Sequence, residues 1–277
     1  MLTAGFYPPR AKTAEARLRF YAEHFSTVEV DSTYYALPSE RNAMLWVERT
    51  PDDFRFNVKA FALLTQHAAE TRALPQPLKA LLGSEVLRQS RLSHPPAPVL
   101  ALSFDMFRSA LEPLRAARKL GCVLFQFPPW FTATPTNEAY IDACRERMHG
   151  CHLAIEFRHA SWFDGRTSRT LDFLSERQLS LVCVDAPNAP SIARPPWTAT
   201  STIGYVRLHG RNRRAWFQRE GTAALRFRYL YGDAELQECA AHIRQIDAAR
   251  VVYVLFNNCY EDYGVRNAGT MQRLLSD

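Results

Sequence analysis

Seven short runs along the chain are apolar throughout or at alternate positions, and between most of them lie stretches whose apolar residues recur every three to four positions. The first kind predicts strands at Thr27–Asp31, Phe54–Lys59, Cys122–Phe127, His152–Phe157, Leu179–Asp185, Ile203–His209 and Arg250–Asn257. The second predicts helices at Ala14–Phe25, Asn42–Arg49, Phe107–Leu120, Asn137–His149, Ser168–Arg177, Asp233–Ala248 and Val265–Leu275. Strand–helix alternation over such a length is the pattern of an α/β protein with a parallel sheet. A chain of 277 residues favours the TIM (β/α)8-type barrel, for which about 250 residues is typical, here with about seven recognisable strands. Residues 70–106, with the HPPAP run at 94–98, and residues 186–202, with four prolines, break the rhythm. Both read as loops inside one domain spanning 1–277, because the alternation resumes after each.

Within the strands, alternate residues face opposite sides, and the two sides differ in polarity. In Leu153–Arg158, Leu153, Ile155 and Phe157 form an apolar face suited to the helix layer, while Ala154, Glu156 and Arg158 share the other. The same split joins Arg207 with His209, Glu29 with Asp31, and Arg55 and Asn57 with Lys59. It also isolates Gln126, while Asp185 and Asn257 end two more strands. A parallel strand buried against helices on both sides reads as a nearly continuous apolar run, which these do not. The charged face therefore belongs to the barrel interior, with its last members at the C-terminal mouth, where barrel enzymes carry their chemistry.

Composition narrows the class. At 47% hydrophobic and 22% charged residues the chain can bury a large core, unlike a disordered polymer. Its longest apolar runs, such as Val251–Phe256, fall far short of the roughly 20 residues that cross a bilayer. The opening MLTAGFYPPR lacks the basic and apolar regions of a secretory signal, so a cytoplasmic protein without a membrane partner is expected. Six scattered cysteines, with no CxxC and no zinc-finger spacing, read as reduced and mostly buried thiols. The net charge of +6 rests on arginine, since only four of 34 basic residues are lysine. Arginine forks suit phosphate and carboxylate, but GC-rich coding also enriches arginine, so net charge alone does not choose a partner.

The segments FSTVEVDSTYYALP (25–38), TPDDFRFNVKA (50–60), GCVLFQFPPWF (121–131), LAIEFRHASW (153–162), YVRLHG (205–210) and VLFNNCYEDYGVRNA (254–268) resemble the domain of unknown function 72, or YecE-like, family. Spread over nearly the whole chain, they imply a TIM-barrel fold but no established reaction. Family-typical polar residues fall on Glu29, Lys59, Gln126, Glu156, Arg158, His159, Arg207, His209, Asn257 and Asn258. Asp31 stands where the family commonly has Asn. The family's opening strand, with its Gly-x-Ser-Gly-Trp stretch, is absent, which accounts for seven strands and points to a truncated or misassigned start.

Three chemistries compete for the polar face. A retaining glycosidase would set carboxylates on the fourth and seventh strands, where this chain has Gln126 and Arg207 or His209 once the absent strand is counted. A divalent metal could use Glu156, Asp185, His209 and Asn257 with Glu29, but no HxH or HExxH spacing supports it and nearby cations oppose it, so no metal ligand is assigned. The favoured reading is an anion clamp. Arg158 and Arg207 would fork to phosphate or carboxylate, with Lys59 as a point charge and Glu29 or Glu156 as acid or base. The catalytic candidates are thus Glu29, Lys59, Glu156 and His209. The ligand-binding candidates are Gln126, Arg158, His159, Asp185, Arg207, Asn257 and Asn258. Pairing of Glu156 with Arg158 and of Glu29 with Lys59 as an internal salt-bridge network is the competing explanation.

Trp130, Phe131, Trp162 and Trp216 could stack a base or sugar or pack the rim, and His67 could serve the site or bond a loop carbonyl. The basic and aromatic run at 211–219 fits nucleic-acid contacts or a solvated loop. The expected partner is a small anionic ligand, phosphorylated compounds included, bound or acted on at the mouth, with hydrolase or lyase chemistry as the enzyme class it would allow. Second comes a nucleic-acid-binding barrel of phosphodiesterase or endonuclease type, and third a non-catalytic interaction protein. No cofactor, reaction or oligomeric state is legible.

Overall fold

The computed structural model describes residues 5–188, 191–214 and 227–276. Strands and helices alternate as in a TIM-type α/β barrel, the class expected from the hydrophobic pattern. The chain divides into two compact units, Leu18–His159 and a second made of Met1–Arg17 with Ala160–Asp277.

In the Leu18–His159 unit, β1 (Thr27–Val30), β2 (Arg55–Lys59), β5 (Leu120–Gln126) and β6 (His152–Glu156) run parallel in that order, each paired with the next. β3 (Ala69–Glu70) and β4 (Arg91–Leu92) form a separate antiparallel hairpin. Helix Glu40–Glu48 begins at Ser39, whose side chain accepts from Asn42 N–H at 3.2 Å. Helix Pro135–Arg147 begins at Thr134, with Pro135 in the first turn, where a missing N–H costs nothing. Lys119, 3% exposed, donates to the carbonyls of Val47 and Thr50 at 2.8 and 2.7 Å and so answers the C-terminal end of helix Glu40–Glu48.

The β2–β5 ladder contains a register shift: Phe56 pairs with Leu120 but Val58 pairs with Val123, which puts one extra residue on β5. Asn57, fully buried at the shift, accepts from Cys122 N–H at 2.8 Å and donates to Thr27 Oγ1 at 3.0 Å. Its amide thus satisfies groups that the irregular ladder would otherwise leave bare.

In the second unit, β7 (Ser180–Asp185), β8 (Ile203–Leu208) and β9 (Val251–Phe256) are parallel and paired in that order. Helices Thr167–Glu176, Asp233–Arg244 and Tyr263–Ser276 precede or follow them. A core around Val206, Leu208, Leu236, Cys239, Ile243 and Met271 joins these strands to their helices.

All seven expected strands are present, within one or two residues of their expected ends. The expectation for residues 70–120 needs correction. A 14-residue helix, Ala97–Ala110, lies where an irregular stretch ending at 106 was expected, and the helix expected to run to Leu120 stops at Ala116. Pro98 occupies the first turn of that helix, so the HPPAP run starts a helix rather than preventing one. Leu120 already belongs to β5. Of the six cysteines, Cys122, Cys144, Cys183 and Cys239 are buried. Among the described residues no helix is long and apolar enough to cross a membrane.

Candidate functional site

The polar strand positions are buried rather than solvated: Gln126 is 5%, Glu156 1%, Arg207 0% and His209 1% exposed. They fall into two groups, one in each unit.

In the Leu18–His159 unit the group gathers where β2, β5 and β6 end. Gln126 and Glu156 are register partners on adjacent parallel strands, so their side chains leave the ladder on one face. Gln126 Nε2 donates to Glu156 Oε1 at 2.6 Å, and Arg158 Nε approaches the same oxygen at 3.6 Å. The Glu156–Arg158 pair, the salt-bridge alternative to the anion clamp, is therefore present. Lys59 has a carboxylate at ion-pair distance in Asp31, with Nζ to Oδ1 at 3.4 Å. Lys59 lies one step beyond the Val30–Val58 register pair, level with the chain that follows β1, which brings Asp31 within reach. Glu29 and His159 are half-buried. The Lys59 ammonium also sits 4.7 Å from the centre of the Tyr34 ring, and Thr33, one residue earlier, donates its hydroxyl to the Lys59 carbonyl at 2.6 Å.

His67 enters this group from the turn after the 3-10 helix Ala62–Thr65. Its ring is 5.3 Å from that of Tyr34 and 5.8 Å from that of Trp130, and its Nδ1 lies 2.9 Å from Thr65 Oγ1. Burial, and then the positive charges of Arg158, Lys59 and Arg91, push the imidazole pKa down to about 4. His67 is thus neutral at pH 7, and the charges acting on it are cationic. Arg91, on the β3–β4 hairpin, also borders a surface cavity of about 660 Å3 with Arg72 and Lys79. Arg91 falls in a stretch without hydrophobic period, and Tyr34 lies on the helix Ser32–Tyr35, too short to show one, so neither stands out in the sequence.

In the second unit, Asp185 ends β7 and is fully engaged by protein groups. Arg211 donates to its two oxygens through Nε at 3.1 and 3.0 Å and through Nη2 at 2.7 Å, and the Tyr231 hydroxyl donates at 2.7 Å. The hydrogen bond to Asp185 leads the causes that raise the Arg211 pKa, and burial raises that of Tyr231. The Tyr231 oxygen in turn accepts from Gly210 N–H at 2.8 Å. Asn258, fully buried, donates to Asn267 Oδ1 and to the Tyr229 carbonyl, both at 2.8 Å, and Asn267 exchanges hydrogen bonds with the Tyr231 backbone. Asn257 Nδ2 lies 3.0 Å from His209 Nδ1. These contacts tie three loops to a strand end and a helix, which is a framework role for Asp185 and Asn258. Tyr231 and Asn267 were not among the sequence candidates, since each lies outside the strands whose alternation exposed the others, and Arg211 stood there only as the first residue of the basic run at 211–219.

Among the described residues no group of three or more His, Cys, Asp or Glu is gathered as a metal would need. Phe131 and Trp162 are buried packing residues, 1% and 0% exposed, whereas Trp130 is 63% exposed. Trp216 and most of the 211–219 run lie outside the described residues.

A family model described as "Protein of unknown function DUF72" matches residues 2–277. UPF0759 protein YunF of Bacillus subtilis (strain 168) is 32% identical over 280 residues, which is 97% of this chain and 89% of YunF. UPF0759 protein YecE of Escherichia coli (strain K12) is 40% identical over 63 residues, 23% of each chain. The crystal structure of a DUF72 family protein from Enterococcus faecalis V583 superposes with a TM-score of 0.78 at 28% identity, covering 94% of this chain and 88% of that one. Another, from Thermotoga maritima MSB8, gives 0.76 at 29% identity, covering 97% and 92%. These likenesses agree with the α/β barrel class.

Proposed function

The chain belongs to the DUF72 family, and from the cations grouped in its Leu18–His159 unit we propose that it binds a small anionic ligand, bearing a phosphate or carboxylate, where β2 and β6 end. The observation that carries this reading is the seating of Lys59 on the Tyr34 ring that meets His67, together with the charges of Arg158 and Arg91, which also act to lower the His67 pKa. An anion entering the field of these cations is attracted by all three charges and meets no opposing proton requirement from the ring.

The parts suit the task. Arg158 keeps 31% of its side chain exposed and presents a planar fork, while Lys59, held beside Asp31 and Tyr34, supplies a point charge. Glu156 is fixed in one orientation by Gln126, as a carboxylate serving a bound anion as acid or base must be. Calorimetric titration of the intact chain with inorganic phosphate at low ionic strength tests the reading. Binding by the parent, weakened about tenfold or more in Lys59→Met and in Arg158→Met while both remain folded, supports it. A folded parent that takes up no phosphate overturns it.

A further inference from the structure

Seven large hydrophobic side chains are exposed among the described residues, and only Tyr35, 69% exposed, and Trp130, 63% exposed, are aromatic. Both belong to one string of rings. Tyr35 meets Tyr34 edge-on at 5.1 Å, Tyr34 meets His67 at 5.3 Å, and His67 meets Trp130 at 5.8 Å. The two inner rings are half-buried and the two outer ones face solvent. The Lys59 ammonium lies against the Tyr34 ring at 4.7 Å, and the charges of Arg158 and Arg91 act on both Tyr34 and His67.

Open aromatic surface is costly unless something covers it, and here it directly adjoins the cation group. A planar ring stacks on an exposed aromatic face without needing sequence-specific hydrogen bonds, while a phosphate attached to it is held by cations. We propose that the ligand of this site is a nucleoside monophosphate, its base stacked on Trp130 or Tyr35 and its phosphate drawn to Lys59 and Arg158. The proposal rests on the anion-binding reading above and adds the ring to it. His67, neutral and wedged between Tyr34 and Trp130, positions the stack and contributes no charge to it.

Titration of the intact chain with AMP, ribose 5-phosphate, adenosine and inorganic phosphate separates the two ideas. AMP is expected to bind at least about fivefold more tightly than ribose 5-phosphate, since one base–aromatic stack is worth that much. Trp130→Ala, Tyr35→Ala or the two combined should bring AMP down to the level of ribose 5-phosphate while leaving phosphate binding unchanged. Equal binding of AMP and ribose 5-phosphate would overturn the nucleotide proposal and leave the anion site standing. Binding of none of the phosphates would overturn both. An oligonucleotide that binds far more tightly than the mononucleotide, with affinity falling steeply with salt, would put a strand on the patch and also overturn the proposal.

Discussion

Gln126 and Glu156 face each other across the β5–β6 ladder, joined by a 2.6 Å hydrogen bond in which both side chains are almost wholly buried. Arg158 stands further from the same carboxylate, at 3.6 Å, and is half-exposed. Unequal costs follow. Gln126→Leu strips a close donor from a buried charge and should destabilise the protein by about 2–4 kcal/mol. Arg158→Met keeps the apolar stem, and water can take over part of the guanidinium's role, so its cost should stay within about 1 kcal/mol. Chemical denaturation of the two variants checks the order. If Arg158→Met costs as much as Gln126→Leu, Arg158 belongs to the scaffold and not to a binding site.

The strands were readable because each carries an apolar run bounded by polar residues or turns, and the polar face was readable because alternation is strict in a strand. Where the sequence misled, the cause was local chemistry with two outcomes. Pro98 can break a helix or begin one, and here it begins one. That Lys59 reaches Asp31 depends on the β1–β2 register, which no local pattern records. Arg91 and Tyr231 could not be singled out, nor could the fork of Arg211 on Asp185 be read from the 211–219 run, because these roles depend on where loops return in space and no periodicity records that.

The Asp185 network predicts a framework effect of definite size. Tyr231→Phe removes the hydroxyl that donates to Asp185 and accepts from Gly210 N–H, leaving a buried donor and a buried charge each short of a partner. A loss of about 2–3 kcal/mol is expected. Asp185→Asn should cost a similar amount by weakening the Arg211 fork, and the double variant should cost less than the two singles together, since they share one network. Strict additivity in a double-mutant cycle would contradict the coupling.

Gly210 has φ +88°, and a Cβ placed on it would fall 2.5 Å from the Cβ of Tyr229. Backbone conformation and space both demand glycine here, so Gly210→Ala should cost more than the about 1–3 kcal/mol of a strained backbone alone. Tyr229→Ala in the same chain should give no rescue, because the atom in the way is one that alanine retains. Thermal unfolding of the single and double variants checks both statements; recovery of the melting temperature in the double would show that the tyrosine ring, not the backbone neighbourhood, sets the constraint.

His67 supplies a pH signature. Its pKa is pushed from 6.5 down to about 4, first by burial and then by Arg158, Lys59 and Arg91. In the unfolded chain the imidazole takes up its proton near 6.5, so between that pH and about 4 the unfolded state binds more protons. The contribution of this group to stability is therefore fully present above pH 6.5 and is lost as pH falls through the window toward 4. Because the ring is only half-buried, the loss should be about 1–2 kcal/mol, and His67→Phe should flatten the stability profile across the same range. An anion that offsets the three cations must raise the pKa of the folded state. NMR titration of the His67 ring should accordingly show its midpoint move up from about 4 when inorganic phosphate is added. By linkage, phosphate should bind more tightly as pH falls through that window. A midpoint near 6.5 without phosphate would mean that neither burial nor the cations govern this imidazole, and an unchanged midpoint in saturating phosphate would mean that the anion binds elsewhere.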